Sequence, residues 1–202
     1  MKVSISTGNN KMGAIPSVSL PPFVSCPADA PCKAKCYAAK LCRCRKTVRA
    51  AYDRNWGIWQ DDPAVYELQV TAAASTTRFF RWHVSGDIPS AEYLAMMSRI
   101  AEKLPGTKFL AFTKQYKTVN EFFAEHAKPE NLQIIFSRWD AAWDVRIANP
   151  HDLPQSAVIF KARPQDAERY DKICGGDCSE CAMQGVGCWE LKKGEVIAFH
   201  EH

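Results

Sequence analysis

Hydrophobic and polar positions between residues 62 and 162 follow two periods in turn, one of about 3.6 residues and one of about 2. The longer period predicts amphipathic helices, each preceded by a side chain that can cap its first turn. The helices predicted in this way begin at Asp62-Pro63, at Ser90 and at Thr118, the last from its capping-box spacing with Glu121. Pro105-Gly106 ends the second of them, because neither residue continues a helix well.

Short β-branched and aromatic runs alternate with these helices and predict strands. The predicted strands are Arg78–Val84, Lys108–Phe112, Leu132–Ser137, Ala157–Lys161 and Val196–Phe199. Strands that alternate with helices indicate βαβ units and a mostly parallel sheet. Right-handed crossovers would curl such units into a partial or distorted (β/α) barrel. The expected fold class is therefore α/β, with cysteine-rich loops near both ends of the chain.

The chain has 202 residues, which is enough for one substantial core and does not require two domains. We expect a single domain, 1–202, in three parts. Residues 1–60 hold an N-terminal cysteine region, residues 62–162 form the βα core, and residues 163–202 hold a C-terminal cysteine loop and the last strand. The net charge of +4 is only mildly basic, short of what a dedicated nucleic-acid binder shows.

Nine cysteines are the most informative part of the composition. No run of about 18 or more apolar residues is present, and the first residues lack the apolar stretch of a signal peptide. We therefore expect a cytoplasmic protein without a membrane partner. Cysteines in that reducing compartment are not expected to form disulfides, so metal binding becomes their leading explanation.

The C-terminal cysteines have the spacing C-x3-C-x2-C-x6-C. They are Cys174, Cys178, Cys181 and Cys188. Short gaps let one segment wrap several thiolates around a single metal centre. A zinc site of four cysteines usually pairs two C-x2-C knuckles, and only Cys178–Cys181 forms one here. This spacing favours an iron–sulfur cluster, and zinc is the alternative.

The N-terminal cysteines Cys26, Cys32 and Cys36 have the spacing C-x5-C-x3-C. Three ligands are too few to close a zinc site, but they suffice for a 4Fe–4S cluster with one iron left open. Cys42 and Cys44 fall in a predicted helix and are interpreted as bystanders, since free cysteine often packs as a small hydrophobe. The spacing leaves open whether the two groups hold two clusters or share one.

Several segments together resemble a phage-encoded family, the gene 88 product family. The matching segments are Asn9-Asn10-Lys11-Met12-Gly13, Ser19-Leu20-Pro21 before Cys26, Cys32-x3-Cys36-Tyr37-Ala38, His83-Val84-Ser85-Gly86-Asp87, Phe112-Thr113-Lys114, Ser137 with Asp140, Cys188-Trp189 and Phe199-x-x-His202. The resemblance implies a shared scaffold and cysteine ligation, and it would place the protein in the cytoplasm of a phage host.

More distantly, the layout is similar to the radical S-adenosylmethionine enzymes, in which a C-x3-C-x2-C loop holds a 4Fe–4S cluster at the mouth of a partial barrel. Cys32 and Cys36 match the first two positions, whereas Ala39 stands at the third, so Cys26 would replace it. The C-terminal group then looks like an auxiliary cluster loop. The segment Ser85-Gly86-Asp87 is similar in place to the stretch that contacts the methionyl amine. The resemblance implies that S-adenosylmethionine binds there, with Asp87 as acceptor.

Four further features of the sequence are candidates for a functional role, and three of them have a second interpretation. Asp87 either contacts a ligand or caps the helix near Ser90. Lys114, beyond a strand end, either holds an anionic ligand or is solvated, and Lys11 lies in a turn that could form a backbone nest for an anion. The basic run Lys33–Arg49 would either stabilise an anionic cluster or contact a phosphate backbone.

The expected function is a 4Fe–4S protein, either a redox protein or a radical S-adenosylmethionine-like enzyme of unknown substrate, with an electron donor among its candidate partners. The alternative is a zinc-stabilised module that binds nucleic acid or protein without catalysis.

Overall fold

The computed structural model describes residues 1–201, so His202 of the closing Phe199-x-x-His202 lies outside the described residues. Its centre is a seven-stranded sheet whose strands lie side by side in chain order. The strands are β1 (Ile5–Ser6), β2 (Ser17–Val18), β3 (Phe79–Trp82), β4 (Lys108–Thr113), β5 (Leu132–Ser137), β6 (Gln155–Ile159) and β7 (Val196–His200). Only β1 and β2 pair antiparallel, and all the other pairs are parallel.

Most connections between the strands are helical. The α-helices are α1 (Tyr37–Cys44), α2 (Lys46–Asp61), α3 (Pro63–Ala74), α4 (Ala91–Lys103), α5 (Tyr116–Glu125), α6 (Ala141–Asp144) and α7 (Cys178–Gln184). Short 3-10 turns cover Pro31–Lys35, Pro164–Arg169 and Gly187–Glu190. No helix in residues 1–201 has both the length and the apolar character that crossing a bilayer requires.

The α/β class and the mostly parallel sheet are confirmed. The sheet is open, with β1 and β7 as its two edges in the part of the chain that the structure describes. Curvature into a partial barrel stays a prediction. The cysteine segments contain more regular structure than the predicted loops, because Cys178 and Cys181 lie on α7 and Cys36 caps α1.

The helix starts follow the capping side chains in two of three cases. Asp62 accepts from Val65 N–H at 3.0 Å and begins α3. Ser90 accepts from Tyr93 N–H at 3.3 Å and begins α4, so Ser90, and not Asp87, is the cap there. The third prediction was wrong, since α5 begins at Tyr116, before the Thr118 capping box.

The early start of α5 has a local cause at the end of β4. Gln115 N–H donates to Thr113 Oγ1 at 2.9 Å, and Lys114 N–H donates to the Asp87 carboxylate at 2.9 Å. These bonds fix the two residues between strand and helix, so the chain turns directly into α5 without a separate capping box.

One face of the sheet packs against the helices. The buried residues on this face are Phe80, Trp82, Phe109, Ala111, Leu132, Ile134 and Phe136. They form one apolar cluster with residues of the helices, among them Tyr66 on α3 and Met97 on α4. Because side chains alternate along a strand, the residues between them face the other side.

The second face is covered by the C-terminal cysteine segment. Its strand residues are Phe79, Leu110, Phe112, Ile135, Ile197 and Phe199. Ala182, Trp189 and Leu191 pack against them, and the Trp189 ring lies edge-on to Phe79 with 5.1 Å between centroids. The four C-terminal cysteines belong to this cluster, so they are part of the core as well as candidate ligands.

His83 is a core histidine directly after β3. It is buried, with φ of 53°, and its Nε2 lies 3.2 Å from the Tyr93 hydroxyl, which in turn lies 2.8 Å from the Tyr66 hydroxyl. Burial lowers the pKa of His83 to about 3, and the Arg81 guanidinium adds to this effect. His83 therefore stays neutral in the folded chain.

We expect this histidine to make folding sensitive to acid. Below its unfolded pKa of about 6.5 only the unfolded chain takes up the proton, so stability falls as the pH drops from 6.5 towards 3. Between pH 7 and pH 5 the free energy of unfolding should fall by about 2 kcal/mol. Urea unfolding at both pH values should show a smaller loss in His83→Gln than in the unchanged chain.

The exposed His126 provides the matched control, since His126→Gln should leave the loss unchanged. NMR of the histidine rings tests the same claim without a substitution. A His83 ring that titrates near its ordinary pKa would show that the assignment is wrong.

Candidate functional site

The carboxyl ends of β2, β3 and β4 meet at one edge of the sheet because these strands are parallel. In open α/β sheets this edge is where ligands usually bind. The segment after β2 carries Cys26, Cys32 and Cys36, the segment after β3 carries Asp87, and Lys114 follows β4. The topology thus brings together three segments that are far apart in the chain.

Asp87 ties these segments to one another. Its Oδ1 accepts from Thr113 Oγ1 at 2.6 Å and from Ile88 N–H at 2.7 Å, and its Oδ2 accepts from Lys114 N–H at 2.9 Å. Its own N–H donates to Ser25 Oγ at 3.0 Å. Burial raises the pKa of Asp87 to about 6, although these hydrogen bonds lower it.

The N-terminal thiols share one electrostatic environment with Asp87. Burial raises the pKa of Cys26 to about 12, and Asp87 and the thiols of Cys32 and Cys36 add to the rise. Burial also raises the pKa of Cys32, which the Lys114 ammonium lowers. The structure therefore brings the N-terminal cysteine group together with Asp87 and Lys114, which were predicted as site residues from separate segments of the sequence.

Ser85 and Gly86 hold the cysteine segment against β3. Ser85 O accepts from Leu20 N–H at 3.0 Å, and Ser85 N–H donates to Ser19 Oγ at 3.3 Å. Gly86 has φ of 82°, and a Cβ there would lie 2.5 Å from Ser25 Oγ and 2.9 Å from Leu20 O. Both residues therefore hold this segment in place, and cofactor binding by them stays a prediction.

Lys114 has no carboxylate at ion-pair distance among residues 1–201. Its ammonium lies 6.0 Å from the centroid of the Trp139 ring, at the carboxyl end of the next strand. A cation beside an aromatic face at the mouth of the site is available to an anionic group. This arrangement is consistent with the ligand-binding interpretation of Lys114.

The C-terminal thiols are held by backbone bonds to both ends of the chain. Cys174 N–H donates to Ala198 O on β7 at 2.8 Å, and Cys178 N–H donates to Lys11 O at 2.8 Å. Burial raises the pKa of Cys188 to about 12, and the other three thiols contribute to the rise. All four cysteines are free thiols.

Arg81 is the residue that the sequence analysis missed. It lies on β3, on the face that the C-terminal segment covers, with its guanidinium 4.4 Å from the centroid of the Phe112 ring. It has no carboxylate partner at ion-pair distance within residues 1–201. Its charge lowers the pKa of Cys188 and of Cys178 against the effect of burial. Strand alternation alone could have indicated this cation on an otherwise apolar face.

Lys11 also lies against the C-terminal thiols, but the backbone nest predicted around it was wrong. The N–H groups of Lys11 and Met12 both donate to Asn9 Oδ1 at 3.0 Å, so they are not available to an anion. The Lys11 ammonium lies 5.2 Å from the centroid of the Phe199 ring and lowers the pKa of Cys178. Its contribution to the site is therefore its side-chain charge.

No three His, Cys, Asp or Glu side chains in residues 1–201 already lie close enough together to hold one metal ion. Cys42 and Cys44 lie on α1, as expected, and Cys44 is exposed. Burial raises the pKa of Cys42, and Asp53 and Cys36 add to the rise. The interpretation of these two cysteines as bystanders stays a prediction.

Fold and site together define an α/β protein that carries two groups of free thiols, one at the carboxyl edge of an open sheet and one over its second face. A profile of the family described as Gene product 88 matches residues 3–195. The chain belongs to this family, as the matching segments indicated.

Two curated relatives are the Gene 88 proteins of Mycobacterium phage L5 and Mycobacterium phage D29, which are 29% and 30% identical to the chain over 144 residues. Each alignment covers 64% of this chain and 59% of the relative, so the chain spans about three fifths of the length of these relatives. No solved structure matches the chain. Nothing in these comparisons points to a radical S-adenosylmethionine enzyme.

We expect Gly86→Ala to loosen the N-terminal cysteine segment. The new methyl group would collide with Ser25 and Leu20 at a positive φ, which costs about 1–3 kcal/mol. Urea unfolding measures this loss, and faster reaction of Cys26 with a thiol reagent reports the local opening.

Gly57→Ala is the matched control. A Cβ at Gly57, inside α2, meets nothing within 4 Å, so alanine should be neutral or stabilise by about 0.5–1 kcal/mol. Equal stability of the two variants would contradict the structural role of Gly86.

Proposed function

We propose that this protein is an iron–sulfur protein in which Cys174, Cys178, Cys181 and Cys188 hold a 4Fe–4S cluster. The observation that carries the proposal is the pair of cations beside these thiols. Neither Arg81 nor Lys11 has a carboxylate partner among the described residues, and both act electrostatically on Cys178. A cysteine-ligated cluster is anionic and would supply the negative charge that the two cations lack.

The chemistry of the donor set fits such a group. Thiols are the ligands that iron–sulfur clusters use, and they bind as thiolates after losing their protons. Burial alone opposes that loss, as the raised pKa of Cys188 illustrates. Arg81 opposes the effect of burial at this thiol, so the site combines an apolar cover with fixed positive charge.

The spacing of the thiols in the sequence supports iron over zinc. A zinc site of four cysteines usually pairs two C-x2-C knuckles, and only Cys178–Cys181 forms one here. Iron–sulfur clusters are held by cysteine thiolates that often come from one tight segment, and these four lie within residues 174–188.

The N-terminal thiols support a second cluster of the same kind, with three protein ligands. Cys26, Cys32 and Cys36 interact with one another and lie beside Asp87 at the edge where ligands bind. Such a centre would supply electron transfer and one iron open to a ligand. Lys114 would hold an anionic group of a ligand at this edge, since no carboxylate of the described residues lies at ion-pair distance from its ammonium and the Trp139 ring lies beside it.

A radical S-adenosylmethionine-like reaction is the finer form of this proposal. It needs an acceptor for the methionyl amine, and a carboxylate offers about four acceptor positions. Thr113, Ile88 and Lys114 occupy three of those on Asp87, so one remains. Release of 5′-deoxyadenosine by the reduced protein would support this form, and its absence after full reconstitution would leave a redox protein.

Anaerobic iron and sulfide analysis tests the proposal. We expect a brown protein whose colour bleaches with dithionite, and about half of its iron should be lost in Cys188→Ser because one of two clusters is removed. Cys32→Ser should lose the other half of the iron, because it removes a ligand of the N-terminal cluster. Cys44→Ser is the matched control and should retain all the iron, since this thiol is exposed on α1. A colourless protein with stoichiometric zinc would contradict the assignment.

The role of Arg81 has its own test. Arg81→Gln removes a positive charge beside the C-terminal cluster and should lower its reduction potential by tens of millivolts, since the reduced cluster carries more negative charge. Arg81→Lys keeps the charge and should keep the potential close to that of the unchanged protein. Potentiometry followed by electron paramagnetic resonance measures both, and an unchanged potential in Arg81→Gln would show that the cation does not act on the cluster.

A further inference from the structure

An apolar groove lies between the Pro21–Val24 segment and the corner where α1 meets α2. It encloses about 250 Å³ and is lined by Phe23, Tyr52, Arg43 and Arg49, among others. Its lining therefore includes two aromatic rings and two cations. This groove has no part in either cysteine site as described above.

Phe23 is held in an unusual way. Its side chain is 42% exposed, and its backbone has φ of 74°, a conformation that is rare for a bulky residue. The Lys33 ammonium lies 5.8 Å from the centroid of its ring. An exposed aromatic ring that is fixed by a strained backbone and accompanied by a cation is suited to stacking on a flat ligand.

The rim of the groove is strongly basic. The exposed cations at the α1–α2 corner are Lys40, Arg43, Arg45 and Lys46. None of these four has a carboxylate at ion-pair distance within residues 1–201. The one acid that lines the groove, Asp53, lies 3.5 Å from Arg49 and is thereby partly neutralised. The corner therefore attracts a polyanion.

We propose that this groove binds single-stranded nucleic acid, with one base stacked on Phe23 and the neighbouring phosphates on the cations of the α1–α2 corner. The occupant follows from charge complementarity and size. A groove of about 250 Å³ is large enough for one unpaired base. Stacking platforms between basic residues are how proteins bind single strands without reading sequence.

Fluorescence anisotropy with a labelled oligo-dT strand of about 20 nucleotides, in about 50 mM salt, tests this proposal on the 202-residue chain. The double variant Lys40→Glu/Lys46→Glu should bind at least about tenfold more weakly. The slope of log K against log salt concentration should become shallower by about 1.4. Two phosphate contacts are lost, and each contact with a single strand contributes about 0.7. Phe23→Ala should weaken binding about tenfold with an unchanged slope.

Lys2→Glu/Lys117→Glu is the matched control, since both lysines are exposed elsewhere and the net charge changes by the same amount. It should bind within about twofold of the unchanged chain. Circular dichroism confirms that each variant is folded. Equal losses in the two double variants would overturn the proposal, because net charge and not the groove would then explain binding. A duplex that binds as tightly as the single strand and is insensitive to Phe23→Ala would also overturn it, as would no binding at all.

Discussion

The structure depends on how the second face of the parallel sheet is covered. A parallel sheet is stable only when both of its faces are shielded from water. Helices shield one face, and the C-terminal segment with Trp189 and four cysteines shields the other. The same residues that complete the core are therefore the candidate ligands. A group bound by these thiols would be coupled to the stability of the whole sheet, because it would fix the segment that excludes water from it.

A second constraint joins the two ends of the chain. Cys178 N–H donates to Lys11 O at 2.8 Å, and a Cβ on Gly13 would lie 2.4 Å from Ser179 Oγ. The turn near the N-terminus thus packs directly on α7. At the other site Asp87, which follows β3, bonds to the end of β4 and to the N-terminal cysteine segment through three hydrogen bonds. Both thiol groups are consequently positioned by residues distant from them in sequence.

The separation in sequence between each thiol group and the residues that position it explains which features could be predicted from the sequence. The parallel strands β3 to β7 and the starts of α3 and α4 were predicted, because their periods and caps are local signals. The two-residue strands β1 and β2 have no period to detect. The start of α5 was wrong because Asp87, a distant residue, fixes the turn before it. The two cysteine groups were predicted from their spacing, whereas the placement of the N-terminal group beside Asp87 and Lys114 depends on the topology of the sheet.

Charge balance links the fold to the proposed function. In the thiol form the C-terminal cysteines are neutral, and Arg81 and Lys11 remain without a counter-charge among the described residues. Placing cations against an apolar cover in that way is unfavourable unless an anion compensates them. Four thiolates on a cluster would provide that anion at the right face of the sheet. Under the proposed function the thiols would release their protons to solvent as the cluster binds, and the resulting negative charge would then balance the two cations.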